Sequence, residues 1–149
     1  MKRTGIYSDH LQPDVWSSGG VIIRKNNNEF EVILCERFSE KLIALPKGKP
    51  NIGEDVKTTA VREVQEETGL KVKIKVKIKD IFYSFNNNNK DIHKRVTFFL
   101  MEEIDGYIGN HDDEFDKVYW EQWSSALKKL TYQGEKDVLE EAIKLAKNT

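Results

Sequence analysis

The segment at positions 48–70, GKPNIGEDVKTTAVREVQEETGL, constrains the fold of this chain more than any other. Prolines and glycines interrupt regular structure just before and within its first residues, so we expect a loop over 46–53. Residues 54–68 then have the spacing of an amphipathic helix, with Glu54 and Asp55 in the first turn. Gly69 follows at the position where a left-handed residue ends many helices. The sequence therefore predicts a loop, a helix and a tight stop.

Three glutamates stand at the wrong end of this predicted helix for its dipole. Glu63, Glu66 and Glu67 lie in its last turns, where the exposed carbonyl groups already carry partial negative charge. Glu63 is also three and four residues from the other two, and each such like-charge pair costs about 0.2–0.5 kcal/mol. Arg62, four residues before Glu66, can offset part of this repulsion. It cannot neutralise three carboxylates.

The angular position of these glutamates separates two explanations. At 100° per residue, Glu67 falls inside the apolar stripe of the helix, Glu66 falls just beside it, and Glu63 falls near it. The residues of that stripe are Val56, Ala60 and Val64. Solvated surface charge is typical of glutamate-rich helices but does not suit Glu67. We favour a hard divalent cation, Mg²⁺ or Mn²⁺, which prefers carboxylate, carbonyl and water oxygens.

Length and charge restrict the remaining possibilities. We expect residues 1–149 to form one domain with a sizeable core. Although 33% of the residues are charged, the net charge of −1 argues against a nucleic-acid or membrane partner bound by bulk charge. The start of the chain, 1–16, has no apolar run of signal-peptide length. The single cysteine, Cys35, lies among aliphatic residues and reads as a buried thiol, which suits a reducing, cytoplasmic setting.

The order of predicted elements indicates an α+β fold with a mixed sheet. The strand at about 71–82 alternates lysine with valine or isoleucine, which predicts one buried face and one solvated face. The asparagine run 86–89 predicts a turn, and 110–116 an acidic loop. The other predicted strands are 17–25, 30–38, 93–104 and 117–121, and the other predicted helices are about 123–130 and 135–147.

The segment 48–70 resembles the Nudix box at every defining position. Gly48 is followed after five residues by Glu54, and after seven more by the run Arg62–Leu70, REVQEETGL. A pattern this long, in which most positions admit one residue type, is specific. The resemblance implies an α/β/α sandwich with a mixed sheet, in which the box forms a loop, a helix and a loop.

The resemblance also implies an activity and a set of residues. Nudix proteins hydrolyse a nucleoside diphosphate linked to another moiety, with Mg²⁺ or Mn²⁺ as the cofactor. Carried over to this chain, the metal ligands are Glu63, Glu66, Glu67 and the carbonyl of Gly48. Glu54 and Arg62 hold the loop and helix in register.

A general base has to take the proton of the attacking water. Family members differ in which carboxylate does so, and two candidates follow here. One is Glu63, within the box. The other comes from the acidic loop, where Glu114 is preferred over Asp112 and Asp113. An acidic surface loop without any catalytic role explains the same segment equally well.

Residues outside the box resemble the diadenosine polyphosphate hydrolase branch of the family. In that branch a His-Lys pair opens the strand after the variable loop, and aromatic side chains flank the nucleotide. The matching pair is His93 and Lys94, and the matching aromatics are Tyr83, Phe85 and Tyr132. Basic residues near the box, Arg37, Lys47 and Lys49, are candidate phosphate contacts. The loop departs from the branch at Lys49 and Ile52, where histidine and proline are common.

Three functions follow from these residues. The first is hydrolysis of a dinucleoside polyphosphate such as diadenosine tetraphosphate. The second is a Nudix pyrophosphatase that acts on oxidised nucleoside triphosphates, on capped or triphosphorylated RNA ends, or on diphosphoinositol phosphates. The third is a non-catalytic nucleotide-binding module, which the three retained glutamates disfavour. The expected partner is a small nucleotide rather than a membrane, and the sequence leaves the number of subunits open.

Overall fold

The computed structural model describes residues 2–5 and 13–148, with side chains from position 13. Its strands are β1 Lys2–Gly5, β2 Val15–Asn26, β3 Glu29–Arg37, β4 Leu42–Ala44, β5 Lys47–Gly48, β6 Leu70–Asn87, β7 Lys90–Gly106 and β8 Lys117–Gln122. Its helices are α1 Val56–Thr68, α2 Trp123–Lys129 and α3 Gln133–Lys147, with a 3₁₀ turn at Ile108–Asn110. Among these helices none is long and apolar enough to cross a membrane. Residues 1 and 6–12 of the segment 1–16, where no signal peptide is expected, lie outside the described residues.

Strand β2 joins the two halves of a mixed sheet. Its first part pairs in parallel with β7, and its last residues pair antiparallel with β3. Strand β6 runs antiparallel to β7 and carries β1, while β4 and β8 both pair with β3. The short β5 pairs with β2, opposite Ser18 and Gly19. The glycine loop before α1 is thereby attached to the middle of the sheet.

Helices cover both faces of this sheet because its central strands bury side chains on both sides. Along β2, Val21 packs into a cluster with α2 and α3, whereas Ile22 packs into a second cluster with α1. Neighbouring Phe98 and Phe99 of β7 divide in the same way. Successive strand residues point to opposite faces, so one strand serves two cores. The predicted α/β/α sandwich with a mixed sheet is confirmed.

Two local predictions need correction. The helix begins at Val56 rather than at position 54, because Asp55 is its N-cap and accepts a 2.8 Å hydrogen bond from the Thr58 amide. The predicted loop 46–53 contains β5, and β4 just before it was not predicted. Strands of two or three residues are too short to show a periodic pattern, so only the tertiary pairing defines them.

The asparagine runs make the turns between long antiparallel strands. Asn27 and Asn28 have φ of 53° and 67°, and Asn88 and Asn89 have φ of 54° and 63°. Asparagine tolerates this left-handed region better than most residues, and two successive positive φ values suit a tight hairpin. The turn predicted over 86–89 is confined to Asn88 and Asn89, because the strand before it runs over Leu70–Asn87 rather than 71–82.

Candidate active site

Helix α1 presents the three glutamates at three depths. The Glu67 residue is only 5% exposed, whereas the Glu63 and Glu66 side chains are 16% and 50% exposed. This order follows the angular position of each residue relative to the buried Ala60 and Val64. Gly69 ends the helix with φ of 79°, and its amide donates to the Gln65 carbonyl. Glu63 and Glu67 contact Gly48 and Lys47 of the β5 loop, the segment 46–53 that contains β5, whereas Glu66 lies at the surface beside Arg62.

Gly48 lies directly against the carboxylate of Glu63. A Cβ built on Gly48 would overlap the Glu63 side chain at its Cδ and Oε2 atoms. The absence of a side chain at position 48 therefore makes room for this carboxylate. The contact also places the Gly48 main chain beside an acidic group, as the predicted ligand set requires.

Arg62 connects the loop to the helix. Its Nε donates to Glu54 at 2.7 Å, its Nη1 lies 2.7 Å from Glu63 and 3.1 Å from Glu66, and its Nη2 donates to the Lys49 carbonyl at 2.9 Å. The hydrogen bond from Arg62 is the main reason that the pKa of Glu54 falls to about 2. In return, Glu54 raises the pKa of Arg62, which stays a cation. These contacts match the register-holding role expected for Glu54 and Arg62.

Glu67 is a buried carboxyl group with a perturbed pKa. Its Oε1 accepts a 3.2 Å hydrogen bond from the Lys47 amide. The pKa of Glu67 is raised to about 8, mainly by burial and also by the charges of Glu63 and Asp112, which together outweigh the lowering effect of Lys47. Without a cation beside it, burial therefore favours the protonated form of this carboxyl group.

The donors at this site are those that a hard divalent cation prefers. They comprise the side chains of Glu63, Glu66 and Glu67 and the Gly48 carbonyl, and a bound cation would stabilise the charged form of Glu67, which burial disfavours. Within 2–5 and 13–148, no three acidic, histidine or cysteine side chains are gathered as a metal site. Arg62 instead holds Glu63 and Glu66 in ion pairs. The chemistry of the donor set fits Mg²⁺ or Mn²⁺, provided that these carboxylates turn from Arg62.

A cavity of about 840 Å³ opens beside the β5 loop. It brings together six of the eight side chains predicted to bind substrate. These are Lys47, Lys49, Tyr83, Phe85, Lys94 and Tyr132, and the wall also includes Asp14, Trp16, Pro50, Ile81, Ile92 and Glu135. One cavity therefore combines aromatic surface with three cationic side chains.

Within this cavity, Lys94 has an unusual environment. Its ammonium nitrogen lies 5.9 Å from the centre of the Tyr83 ring, and Tyr83 in turn lies 6.4 Å from Phe85 at a tilt of 42°. Burial lowers the pKa of Lys94 to about 8, and the positive charges of Lys47 and Lys49 contribute. An anion bound between these cations would relieve their repulsion.

The structure places two predicted contacts elsewhere. Arg37 does not line the cavity and instead pairs with Glu114, at 2.8 Å between side chains and 3.0 Å to its carbonyl. Its guanidinium also lies over the Phe115 ring, 4.8 Å from the centre. His93 is also absent from the cavity wall, and its main chain bonds with Asp14. The candidate base Glu114 is thus an exposed ion-pair partner of Arg37.

Two further acidic residues lie at this site: Asp112, which the sequence offered only as a less preferred candidate base, and Glu135, which was not singled out. The charge of Asp112 acts on Glu67, and its amide donates to the Glu66 carbonyl at 2.9 Å. Glu135, at 3% exposure, accepts a 2.7 Å hydrogen bond from the Leu45 amide and lines the cavity. A signal for Glu135 was present, because Val138, Leu139 and Ala142 follow it at the spacing of one helix face. Like Glu67, Glu135 is a carboxylate on an apolar stripe.

The chain is similar in sequence to known proteins of one family. The NUDIX domain family matches residues 16–142. MutT4 of Mycobacterium tuberculosis is 33% identical over 110 residues, which cover 74% of this chain but 44% of that protein. The chain thus spans less than half of that relative. An ADP-ribose pyrophosphatase of Methanocaldococcus jannaschii is 31% identical over 133 residues, which cover 87% of this chain and 73% of that protein.

Solved structures show the same architecture. An Ap4A hydrolase of C. elegans, crystallised as a binary complex, superimposes with a TM-score of 0.73 over 91% of this chain and 99% of that one. At 22% identity, this likeness concerns the fold. The family match, the complete box at 48–70 and the sandwich fold together place the chain in the Nudix hydrolase family.

Proposed function

We propose that this protein hydrolyses a phosphoanhydride bond in a dinucleoside polyphosphate such as diadenosine tetraphosphate. The observation that supports this most is the cavity beside the β5 loop. It places three lysines, Lys47, Lys49 and Lys94, together with aromatic side chains, next to the helix that carries the box glutamates. This wall suits a polyphosphate that ends in a nucleoside, because the lysines can bind its phosphates and the aromatic rings can stack on its base.

The size and chemistry of the cavity suit one nucleotide unit and part of a phosphate chain. A volume of about 840 Å³ lies within the usual range for small-molecule sites. Stacking on aromatic side chains such as Tyr83 or Tyr132 would contribute about 1–3 kcal/mol per base. The three ammonium groups would neutralise phosphate oxygens and would stabilise the charge that develops on the leaving phosphate.

The box residues would supply the metal site of this reaction. Gly48, Glu63, Glu66 and Glu67 are the proposed ligands of Mg²⁺ or Mn²⁺. When bound, such a cation neutralises the phosphate charge and lowers the pKa of the attacking water. The protein itself contributes in two ways. The Lys47 amide holds the buried Glu67 by a hydrogen bond, and glycine at position 48 leaves room for the Glu63 carboxylate.

The chemical step is the attack of water on phosphorus. A bond forms between the water oxygen and phosphorus, the bridging phosphorus–oxygen bond breaks, and one proton of the water passes to a carboxylate. Glu63 and Glu114 are the proposed acceptors of this proton. Glu114 would first have to leave its ion pair with Arg37. The bridging oxygen departs with the longer phosphate chain or with the monophosphate, according to which phosphorus is attacked.

A second candidate substrate is ADP-ribose. It is suggested by the relative from M. jannaschii that is named an ADP-ribose pyrophosphatase. ADP-ribose also joins an adenosine to a diphosphate, so the same aromatic and cationic walls would hold it. It offers two phosphates to the three lysines, whereas a tetraphosphate chain offers four. We favour the longer chain on this ground.

A substrate panel with Mg²⁺ in ¹⁸O-labelled water tests the proposal. The panel comprises diadenosine tetraphosphate, ADP-ribose and 8-oxo-dGTP, with products and their label measured by mass. We expect the tetraphosphate to give ATP and AMP, with ¹⁸O in one of them to identify the attacked phosphorus. The Glu67→Gln variant serves as the control for contaminating hydrolases.

Each other result has a definite meaning. If the tetraphosphate is untouched while ADP-ribose gives AMP and ribose 5-phosphate, the second candidate replaces the first. If only 8-oxo-dGTP is cleaved, to the monophosphate and pyrophosphate, the dinucleotide and ADP-ribose proposals both fail. If none of the three is cleaved faster by the wild type than by the Glu67→Gln control, the proposed activity is wrong.

A further inference from the structure

Glu135 is a buried carboxylate in the wall of the substrate cavity, and the proposed chemistry does not use it. It lies in the first turn of α3 and its residue is 3% exposed. Its Oε1 accepts a 2.7 Å hydrogen bond from the Leu45 amide, two residues before the start of β5. Burying a charged side chain is costly unless it has partners, so this position requires an explanation.

The second partner of Glu135 is a lysine of the cavity. Its Oε2 lies 3.5 Å from Nζ of Lys47, whose side chain is 26% exposed. A lysine ammonium has three donor hydrogens, and one carboxylate at this distance leaves the others available to a ligand. The ion pair therefore fixes the direction of the Lys47 side chain without occupying its whole hydrogen-bonding capacity.

Lys47 is near two carboxylates, Glu135 at its ammonium group and Glu67 at its main-chain amide. Its main-chain amide holds Glu67, and the charges of both Glu135 and Glu67 act on its ammonium group. If the ammonium turned to Glu67, it would neutralise a proposed metal ligand and leave the cavity. Glu135 lies in the cavity wall and draws the ammonium there. Lys94, in the same cavity, makes a cation–π contact with the Tyr83 ring instead.

We propose that Glu135 is a positioning residue that holds the Lys47 ammonium in the cavity, where it meets the phosphates of the substrate. The inference depends on the proposed function only in requiring that phosphates bind in this cavity. The inference predicts that removing the charge of Glu135 weakens phosphate binding, which is the opposite of what charge repulsion alone would give. A negative charge near a phosphate site repels the ligand, so its removal should strengthen binding unless the positioning of Lys47 outweighs the repulsion.

The test measures binding of ATP, as a probe, by calorimetry in EDTA, so that metal chemistry does not contribute. The variants are Glu135→Gln, Lys47→Met and the double variant. Glutamine keeps the volume of the side chain and an oxygen for the Leu45 amide but loses the charge. We expect Glu135→Gln to raise the Kd for ATP about tenfold, and to change it less than about twofold when Lys47 is already Met, as coupled residues do.

A matched control comes from the same cavity. Lys94→Met removes a cation that has no ion pair with Glu135. Glu135→Gln should therefore raise the Kd about equally with Lys94 present or replaced. Thermal unfolding of each variant separates positioning from loss of structure. If Glu135→Gln does not fold, Glu135→Asp, which shortens the side chain and keeps its charge, should show the same dependence on Lys47.

The results distinguish this inference from the proposed function. It is overturned if Glu135→Gln leaves ATP binding unchanged or strengthens it, if the effect persists fully in the Lys47→Met background, or if the wild-type protein does not bind ATP. If the coupling is found and no member of the substrate panel is cleaved, the proposed function fails alone. If diadenosine tetraphosphate is cleaved and no coupling is found, the inference fails alone.

Discussion

The carboxylate of Glu63 occupies the space that a side chain at Gly48 would fill. The requirement for glycine here is one of room, because the backbone at this position lies outside the left-handed region, whereas Gly53 in the same loop has φ of 83°. The two glycines of one loop are therefore needed for different reasons. Gly48 serves the site, and Gly53 serves the turn.

This difference predicts opposite effects for two alanine substitutions. Gly48→Ala should displace Glu63 and reduce kcat about 100-fold or more, as misplaced catalytic groups do, with little change in Tm. Gly53→Ala meets no atom within 4 Å but forces a side chain into the left-handed region, at a cost of about 1–2 kcal/mol. It should lower Tm and leave kcat nearly unchanged. Wild-type turnover in Gly48→Ala would show that the carboxylate does not need this space.

Glu67→Gln should reduce turnover by about 100-fold or more while the fold is retained. Glutamine can still accept the hydrogen bond from the Lys47 amide, but it cannot supply the negative charge of a metal ligand. Mn²⁺ binding, followed by electron paramagnetic resonance, should weaken in parallel. Glu140→Gln, on the exposed side of α3, is the matched control. Near wild-type activity and Mn²⁺ affinity would remove Glu67 from the metal site.

The general base can be identified by comparing four substitutions. Removal of a general base costs about 100- to 10,000-fold in rate. If Glu114 has this role, Glu114→Gln should reduce kcat by that amount with little change in KM, and Asp112→Asn should not. Arg37→Met should then leave most of the activity, because it releases Glu114 from its ion pair. A small effect of Glu114→Gln, with a large one for Glu63→Gln, would assign the base to the box.

Glu54 should make the stability of the protein sensitive to acid. Hydrogen bonds from Arg62, and then from the Asn51 amide, lower its pKa from 4.5 to about 2 in the folded state. The contribution of Glu54 is therefore fully present above pH 4.5 and is lost as the pH falls towards 2. In urea unfolding, the free energy of unfolding of the wild type should exceed that of Glu54→Gln at pH 7. The two values should converge near pH 2. A constant difference across this range would contradict the role of the charge.

Lys94 should make phosphate binding weaken in alkaline solution. Its pKa of about 8 means that it loses its positive charge as the pH rises through 8, whereas an ordinary lysine stays charged to above pH 10. The Kd for ATP in EDTA should therefore rise above pH 8. In Lys94→Arg, whose cation does not titrate in this range, the rise should disappear. An unchanged profile in Lys94→Arg would assign the titration to another group.

Several features of helix α1 and strand β6 could be predicted from the sequence alone. Helical geometry placed Glu67 on the buried face, glycine at position 69 predicted the left-handed cap, and the lysine alternation predicted the exposed side of β6. Each of these depends on residues close together in the chain, so a period or a single backbone preference is enough to predict it. The family membership follows from the same local pattern and is confirmed.

Tertiary structure decided which distant residues meet. Arg37 and Glu114, far apart in the chain, form an ion pair rather than lining the cavity, and Lys47 meets Glu135 across the β5–α3 contact. The sequence by itself determined the helix, its acidic face and the loop before it, because these arise from local geometry. The partners of each charge depend on strand pairing and helix packing, which bring together residues whose spacing in sequence carries no information about their distance in space.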